Sequence, residues 1–218
     1  PELAETGWEV ALGRTLAEAG SRFSWDDATA VKTDRGDHLE LKGVVTNDTH
    51  GEEVSTVFLY PKNWTGDVVV WLDGTDTPSE SALAEVRAGR AVALSRLFAP
   101  DRTANPLVKN PRQAPAYTFG YNHPLFAQRV HDVLTLIQFC RSRDQYPAKS
   151  VRLAARGPAV PIGLAAAFLA QSALAGVEAE ATDFRFDSVT DYRDPSFLPG
   201  ALKYGDVPAL RRLAGLNP

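Results

Sequence analysis

Few residues in this sequence have side chains suited to acid–base or nucleophilic chemistry. His123 lies in the stretch GYNHP, just before a predicted helix, where a neutral imidazole could act as a general base near pH 7. Asp187 and Ser188 form the other candidate pair, because they lie near the end of a predicted strand. The alternatives are structural: His123 hydrogen-bonds loop backbone, and Asp187 belongs to a run of solvated loop acids.

The sequence contains no spacing typical of a metal or nucleotide site. It has no C-x-x-C, H-E-x-x-H or H-x-x-E-H motif, no G-x-G-x-x-G and no phosphate-binding G-x-x-x-x-G-K-[ST]. We therefore expect no metal and no cofactor. The single cysteine, Cys140, excludes an internal disulfide, and its place on the apolar face of a predicted helix favours core packing.

Composition and charge narrow the classes of partner. The 218 residues are 44% hydrophobic and 23% charged, with a net charge of −4 and no block rich in Lys or Arg, so we expect no nucleic-acid partner. No apolar run approaches the length of about 20 residues that spans a bilayer, so we expect no membrane partner. The length suits one domain.

Strands alternate with helices along most of the chain. Helical spacing covers 8–19, and two alternating stretches at 38–44 and 53–60 predict an antiparallel hairpin. Further strands are predicted at 67–72, 91–97 and 151–155, and a fourth within 178–189, best placed at 184–189. Helices are predicted at 79–88, 158–174 and 207–214. Another helix is predicted to follow Asn122, with Asn122 as its N-cap and Pro124 in its first turn.

This order predicts an α/β fold with helices on both faces of a mixed, mostly parallel sheet and antiparallel strands at its N-terminal edge. Residues 1–37 are predicted to be a helical and loop appendage packed on a domain of residues 38–218. In such sheets, ligands bind beyond the carboxyl ends of the strands. The loops to consider are therefore 73–78, 98–122, 155–158 and 187–206.

Four stretches are similar to the α/β-hydrolase fold and, more narrowly, to the acetyl-xylan-esterase-like hydrolases of bacterial carbohydrate degradation: VVVWLDG, AYTFGYNHPLFAQRVHDVLTLIQF, VRLAARGPAVPIGLAAAFLA and FDSVTDYRDPSFLPGALKYGD. The resemblance covers about residues 38–218. It implies a three-layer fold with a sheet of the eight-strand type, ester hydrolysis in active relatives, and often a secreted or periplasmic location. The residues themselves do not indicate a compartment.

In α/β-hydrolases the nucleophile lies in G-x-S-x-G, on a turn between a strand and a helix. The resemblance aligns that turn with Ala155-Arg156-Gly157-Pro158-Ala159, so Gly157 takes the nucleophile position and has no side chain. Pro158 follows and lacks the N–H that would donate to an oxyanion. The alternative is a plain helix start with proline in its first turn. Under both interpretations, the sequence contains no G-x-S-x-G.

The resemblance also implies an order of serine, acid and histidine, yet all four histidines precede residue 157. The chain ends at Pro218, about where the last strands of the fold would begin. We therefore expect the C-terminal strands to be missing and one sheet edge to be open, either to a second copy or to a further segment of a longer polypeptide.

Asp73 and Gly74 follow the strand VVVWL where relatives place their second oxyanion donor, and with Tyr121 they form a candidate pocket for a small carbohydrate or ester ligand. Two hypotheses remain. The chain is a non-catalytic hydrolase-like domain that binds or assembles, or it is an active carbohydrate ester hydrolase. The second needs His123 with Asp187 or Ser188, or a site completed by another segment.

Overall fold

A computed structural model of the chain describes residues 2–98, 103–109, 114–143 and 145–217. Eight strands form one mixed sheet, in the order β1-β3-β4-β6-β5-β7-β8 with β2 also paired to β3. The strands are β1 (Phe23–Trp25), β2 (Val31–Asp34), β3 (His38–Asn47), β4 (Glu52–Pro61), β5 (Asp67–Leu72), β6 (Ala91–Ser95), β7 (Ser150–Ala155) and β8 (Gly176–Ala179).

The sheet has an antiparallel half and a parallel half. β3 and β4 form the predicted hairpin over the full length of both strands, and β4 pairs antiparallel with β6. From β6 onward, β5, β7 and β8 pair in parallel, so their carboxyl ends reach the same edge of the sheet. In residues 180–217, all of which are described, no strand follows β8. The predicted fold class is confirmed.

Helices cover both faces of the sheet. They are α1 (Glu2–Leu12), α2 (Glu80–Arg87), α3 (Pro115–Phe119), α4 (Leu125–Ser142), α5 (Val160–Ala170) and α6 (Asp206–Leu213). Side chains of β5 alternate between two apolar clusters. Val70 and Leu72 pack with α1, α4, α5 and α6, whereas Val69 and Trp71 pack with α2. None of the described helices is long and apolar enough to cross a membrane.

The helix α5 lies unusually close to β7. Every residue of α5 is buried, and a Cβ added to Gly163 would lie 2.4 Å from the Cβ of Ala155. Because only a residue without a side chain permits this approach, Gly163 fixes where α5 crosses the end of β7.

The N-terminal region differs from the predicted helix at 8–19. The helix α1 begins at Glu2 and ends at Leu12, because Gly13 adopts a φ of 71° and its N–H bonds to the carbonyl of Glu9. Within residues 1–37 the structure also forms β1 and β2, both paired to β3.

The predicted range 178–189 overlaps a strand at its start, but the placement of that strand at 184–189 is wrong. Residues Phe186–Ser188 form a 3-10 turn, and the strand beside β7 is β8, earlier in the chain. Phe184 and Phe186 alternate with charged residues as in a strand, but Phe186 instead packs its ring 5.9 Å from Trp8 and 5.2 Å from Phe126.

The predicted N-cap of α4 is also wrong. The side chain of Asn122 donates to the carbonyl of Thr118, so it faces away from the helix start. The N–H of Leu125 instead donates to Oδ1 of Asn105, a buried residue 20 positions earlier. The predicted burial of Cys140 in the core is confirmed.

Candidate functional site at the corner between β7 and α5

Residues 155–159, called the corner below, connect the end of β7 to the start of α5. Gly157 has a φ of 51°, in the left-handed region that favours glycine, and begins a 3-10 turn over Gly157–Ala159. The N–H of Arg156 donates to the carbonyl of Leu72 at 2.7 Å, which ties the corner to the neighbouring strand β5. The backbone thus bends sharply at the carboxyl edge of the sheet.

At Gly157 the corner has space for a side chain but carries none. A Cβ added to Gly157 would meet no atom within 4 Å. The next residue, Pro158, has no N–H to donate. The N–H of Gly157 itself donates to Oε2 of Glu180 at 3.0 Å. A carboxylate therefore already occupies this backbone donor of the corner.

Arg156 links the corner to its surroundings through three contacts. Its guanidinium carbon lies 4.8 Å from the centroid of the Trp71 ring, in a cation–π arrangement. It also forms ion pairs with Glu178 and with Glu180, the latter at 3.5 Å between Nε and Oε1. The two acids follow one another along β8 and its end, so they hold the arginine across the edge of the sheet.

Gly74 lies beside the corner. Its φ is 87°, and a Cβ added there would lie 3.1 Å from the Phe98 ring and 3.7 Å from Cγ of Pro158. The carboxylate of Asp73 accepts hydrogen bonds from Nε1 of Trp71 at 3.0 Å and from the N–H of Thr75 at 3.1 Å. Both oxygens of Asp73 therefore hold the loop in shape.

His123 and Tyr121 lie in a different groove. Tyr121 is 91% exposed and lines this groove with His123, Glu52 and other residues. The His123 ring packs against Gly13 and lies edge-on to the ring of His131, with centroids 4.8 Å apart. Burial lowers the pKa of His123, and the charge of Arg14 lowers it further.

Asp187 and Ser188 are both exposed, in the 3-10 turn that replaces the predicted strand. The hydroxyl of Ser188 donates to the carbonyl of Arg185 at 2.7 Å. Among the described residues, no hydrogen bond or ion pair joins His123 to Asp187 or Ser188. The structure therefore brings Gly74 next to Pro158, but it does not bring the three candidate catalytic residues into contact.

Glu178 and Glu180 are the site residues that the sequence analysis missed. They lie in the stretch GVEAEA, where two acids alternate with small residues. That alternation indicates a strand and its continuation, and placing β8 there would have put both acids next to the end of β7. Placing the strand at the far end of the predicted range 178–189 hid this signal.

Two further features of the molecule concern metal binding and cavities. No group of three or more His, Cys, Asp or Glu side chains suited to a metal ion occurs in the part of the chain that the structure describes. A separate cavity of about 530 Å³ lies between β1 and the end of α4, lined by Trp25, Phe58 and Arg143 among others. This cavity shares no residue with the corner, so the two are separate features of the surface.

The sheet order, the helices on both faces and the corner define an α/β-hydrolase-type fold. No protein-family model and no curated protein matches the chain. Among solved structures, it is similar to acetyl xylan esterase 1 from Thermoanaerobacterium sp. JW/SL YS485, with a TM-score of 0.55 and 12% identity over 81% of this chain and 57% of that one. It is also similar to a glucuronoyl esterase from Solibacter usitatus, with a TM-score of 0.58 and 10% identity over 88% of this chain and 65% of that one.

These likenesses concern the fold. This chain spans 57% and 65% of the lengths of the two solved chains. At 10% and 12% identity, a common fold does not carry over a common activity, because one fold supports many chemistries and function is decided by the site.

Proposed function

We propose that this chain is a non-catalytic α/β-hydrolase-like domain that acts by binding or by assembly. The observation that carries the proposal is the corner, where Gly157 has no side chain and Pro158 has no N–H. Nucleophilic ester hydrolysis on this fold needs a hydroxyl at the first position and a backbone donor at the second.

The loss of the oxyanion donor and the loss of the nucleophile affect the rate of hydrolysis differently. Removing one oxyanion donor typically reduces the rate by a factor on the order of 10²–10³. Removing the nucleophile leaves no atom at the corner to attack a carbonyl. The carboxylate of Glu180 adds a negative charge next to Gly157, which disfavours the formation of a second anion there. All three effects support the non-catalytic part of the proposal.

A fluorophosphonate probe tests this proposal directly, because it reacts with activated serines. We expect no stoichiometric labelling of the intact chain and no turnover of acetyl esters above the rate in buffer. An active serine esterase treated in parallel provides the positive control. Stoichiometric labelling of any single serine, located by mass spectrometry, would overturn the proposal.

The alternative is an active carbohydrate ester hydrolase, which the structural likeness to two esterases favours. It would use His123 with Asp187 or Ser188 or receive missing groups from another segment, and its ligand would be a small carbohydrate or ester. If acetyl ester turnover is measurable and falls in both His123→Ala and Asp187→Ala, this alternative replaces the proposal. Turnover that is unchanged in both variants excludes the His123 mechanism.

A further inference from the structure

The helix α1 packs on the domain through its own buried residues and continues into the segment Leu12-Gly13-Arg14, which α4 and β4 hold. The helix takes no part in the sheet, and it precedes β1 in the chain. Its buried residues are Gly7, Trp8 and Leu12: a Cβ added to Gly7 would lie 2.2 Å from the Tyr204 ring, and Nε1 of Trp8 donates to the carbonyl of Tyr204 at 3.1 Å. Because no strand pairing depends on α1, the helix can open without breaking the sheet.

His131 of α4 holds the first of these residues. Its Nε2 donates to the carbonyl oxygen of Leu12 at 2.8 Å, so the ring is the neutral tautomer with its proton on Nε2. Only 1% of His131 is exposed, and burial, with the nearby Arg14 charge, lowers its pKa to about 4. A proton on the second ring nitrogen would place a buried positive charge beside Arg14.

The other two residues of the segment are held by groups that also titrate. The ring of His123 lies where a side chain of residue 13 would lie, 2.3 Å from the position of an added Cβ. Arg14, itself 9% exposed, forms a bidentate ion pair with Glu52 of β4: Nη1 lies 2.7 Å from Oε2 and Nη2 lies 2.9 Å from Oε1. Burial alone would raise the pKa of Glu52, but Arg14 holds it below its ordinary value.

The charged groups around His131 therefore come from three directions. Arg14 lies on the N-terminal segment, Glu52 on β4, and His123 just before α4. Asp132 adjoins His131 on α4 and is itself buried and engaged in an interaction. Two groups favour a proton on His131: the Leu12 carbonyl that accepts its hydrogen bond, and Glu52, which is already paired with Arg14; burial and the Arg14 charge outweigh both.

We propose that residues 2–14 form an acid-sensitive latch: in mild acid, protonation of His131 and His123 releases α1 from α4 while the sheet stays folded. Release allows both imidazoles to be hydrated and carries Arg14 away from them. It also uncovers the apolar surface beneath Trp8 and Leu12. The proposal is independent of whether the corner hydrolyses esters.

Whether acid strengthens or weakens the attachment of α1 depends on which state, attached or released, binds more protons. The attached state holds His131 with a pKa of about 4, whereas the released imidazole returns toward its ordinary value of about 6.5. Attachment is therefore at full strength above about pH 6.5 and weakens as the pH falls toward about 4. His123 acts in the same direction but more weakly, since it lies at the surface.

Hydrogen exchange measured by mass spectrometry at about pH 7 and about pH 4.5 tests the latch, after correction for the intrinsic pH dependence of exchange. We expect protection of residues 2–14 to fall by about tenfold or more between the two conditions. Protection of β5 and β7 should stay unchanged. In His131→Gln, whose amide can donate to Leu12 without titrating, the loss should be at most a few-fold.

The matched control is His38→Gln, because His38 lies on β3 and bonds to Asp37 instead. This variant should behave as the unaltered chain does. Three outcomes would each overturn the proposal: retained protection of residues 2–14 in acid, an equal loss in β5 and β7, or an equal loss in His131→Gln. Should His131→Gln fail to fold, the first two outcomes still decide the question with the unaltered chain.

Discussion

Gly157 combines open surroundings with a backbone conformation that most residues adopt at a cost. Because no atom lies within 4 Å of an added Cβ, substitutions there test the backbone alone. A non-glycine residue in the left-handed region costs roughly 1–2 kcal/mol, and asparagine tolerates it better than alanine or valine. The position therefore separates backbone strain from packing.

We expect Gly157→Ala to lower the free energy of unfolding by about 1–2 kcal/mol, Gly157→Asn by less, and Gly157→Val by the most. Urea denaturation of the three variants measures the order. An equal stability for all three would mean that the turn relaxes to another conformation when the glycine is replaced.

A buried asparagine holds three segments together at the scale of the structural elements. The amide of Asn105 donates to the carbonyls of Tyr192 and Asp194, and its oxygen accepts the N–H of Leu125 at the start of α4. The side chain therefore serves as the cap of α4 and as a clamp on the loop after Val189. Both roles depend on residues far apart in the sequence.

We expect Asn105→Ala to lower the free energy of unfolding by roughly 2–3 kcal/mol, since it leaves buried backbone groups without partners. Asn122→Ala is the matched control, because Asn122 is exposed and its side chain bonds only to Thr118 among the described residues. Its effect should stay within about 0.5 kcal/mol. A larger loss in Asn122→Ala than in Asn105→Ala would return the cap of α4 to the position that the sequence indicates.

The elements that the sequence predicts well are those decided by local patterns. Alternation at 38–44 and 53–60 predicts the hairpin, and the continuous apolar run at 67–72 is β5 to the residue. The failures have distant causes. Phe186 lies in a sequence that alternates as a strand does, but its ring packs against Trp8 and Phe126 instead of joining the sheet. The helix α4 is capped by Asn105, which is distant in the sequence.

The same distinction applies to the candidate site. The resemblance locates the turn at Gly157 and Pro158, where the structure has a strand-to-helix bend. It says nothing of Glu180, whose carboxylate accepts from Gly157 only because β8 lies beside β7. Pairing between strands 20 residues apart is not visible in a local pattern. The functional meaning of the turn stays a prediction.

At the scale of the whole molecule, β8 is the edge of the parallel half of the sheet. Its end is partly covered, because the guanidinium of Arg211 in α6 donates to the carbonyls of Ala179 and Glu180 at 3.3 and 3.0 Å. Uncovered edge strands recruit other strands, and charged side chains on the edge reduce this tendency. Self-association along β8 stays a prediction of the sequence analysis.

We expect Arg211→Ala to self-associate at a lower protein concentration than the unaltered chain, since the variant exposes these two acceptors. Light scattering over a concentration series measures the effect. Arg212→Ala is the control, because the side chain of this neighbouring arginine makes no hydrogen bond or ion pair with the described residues. Identical scattering from both variants would show that Arg211 does not protect the edge.

Pro158 limits how esterase activity could evolve at the corner. A serine replacing Gly157 would find room for its hydroxyl, yet the following residue would still offer no hydrogen to stabilise an oxyanion. Replacing the proline alone would restore that hydrogen beside a position without a hydroxyl. Each substitution restores only one of the two groups, so we expect neither variant alone to approach the activity of a turn that has both.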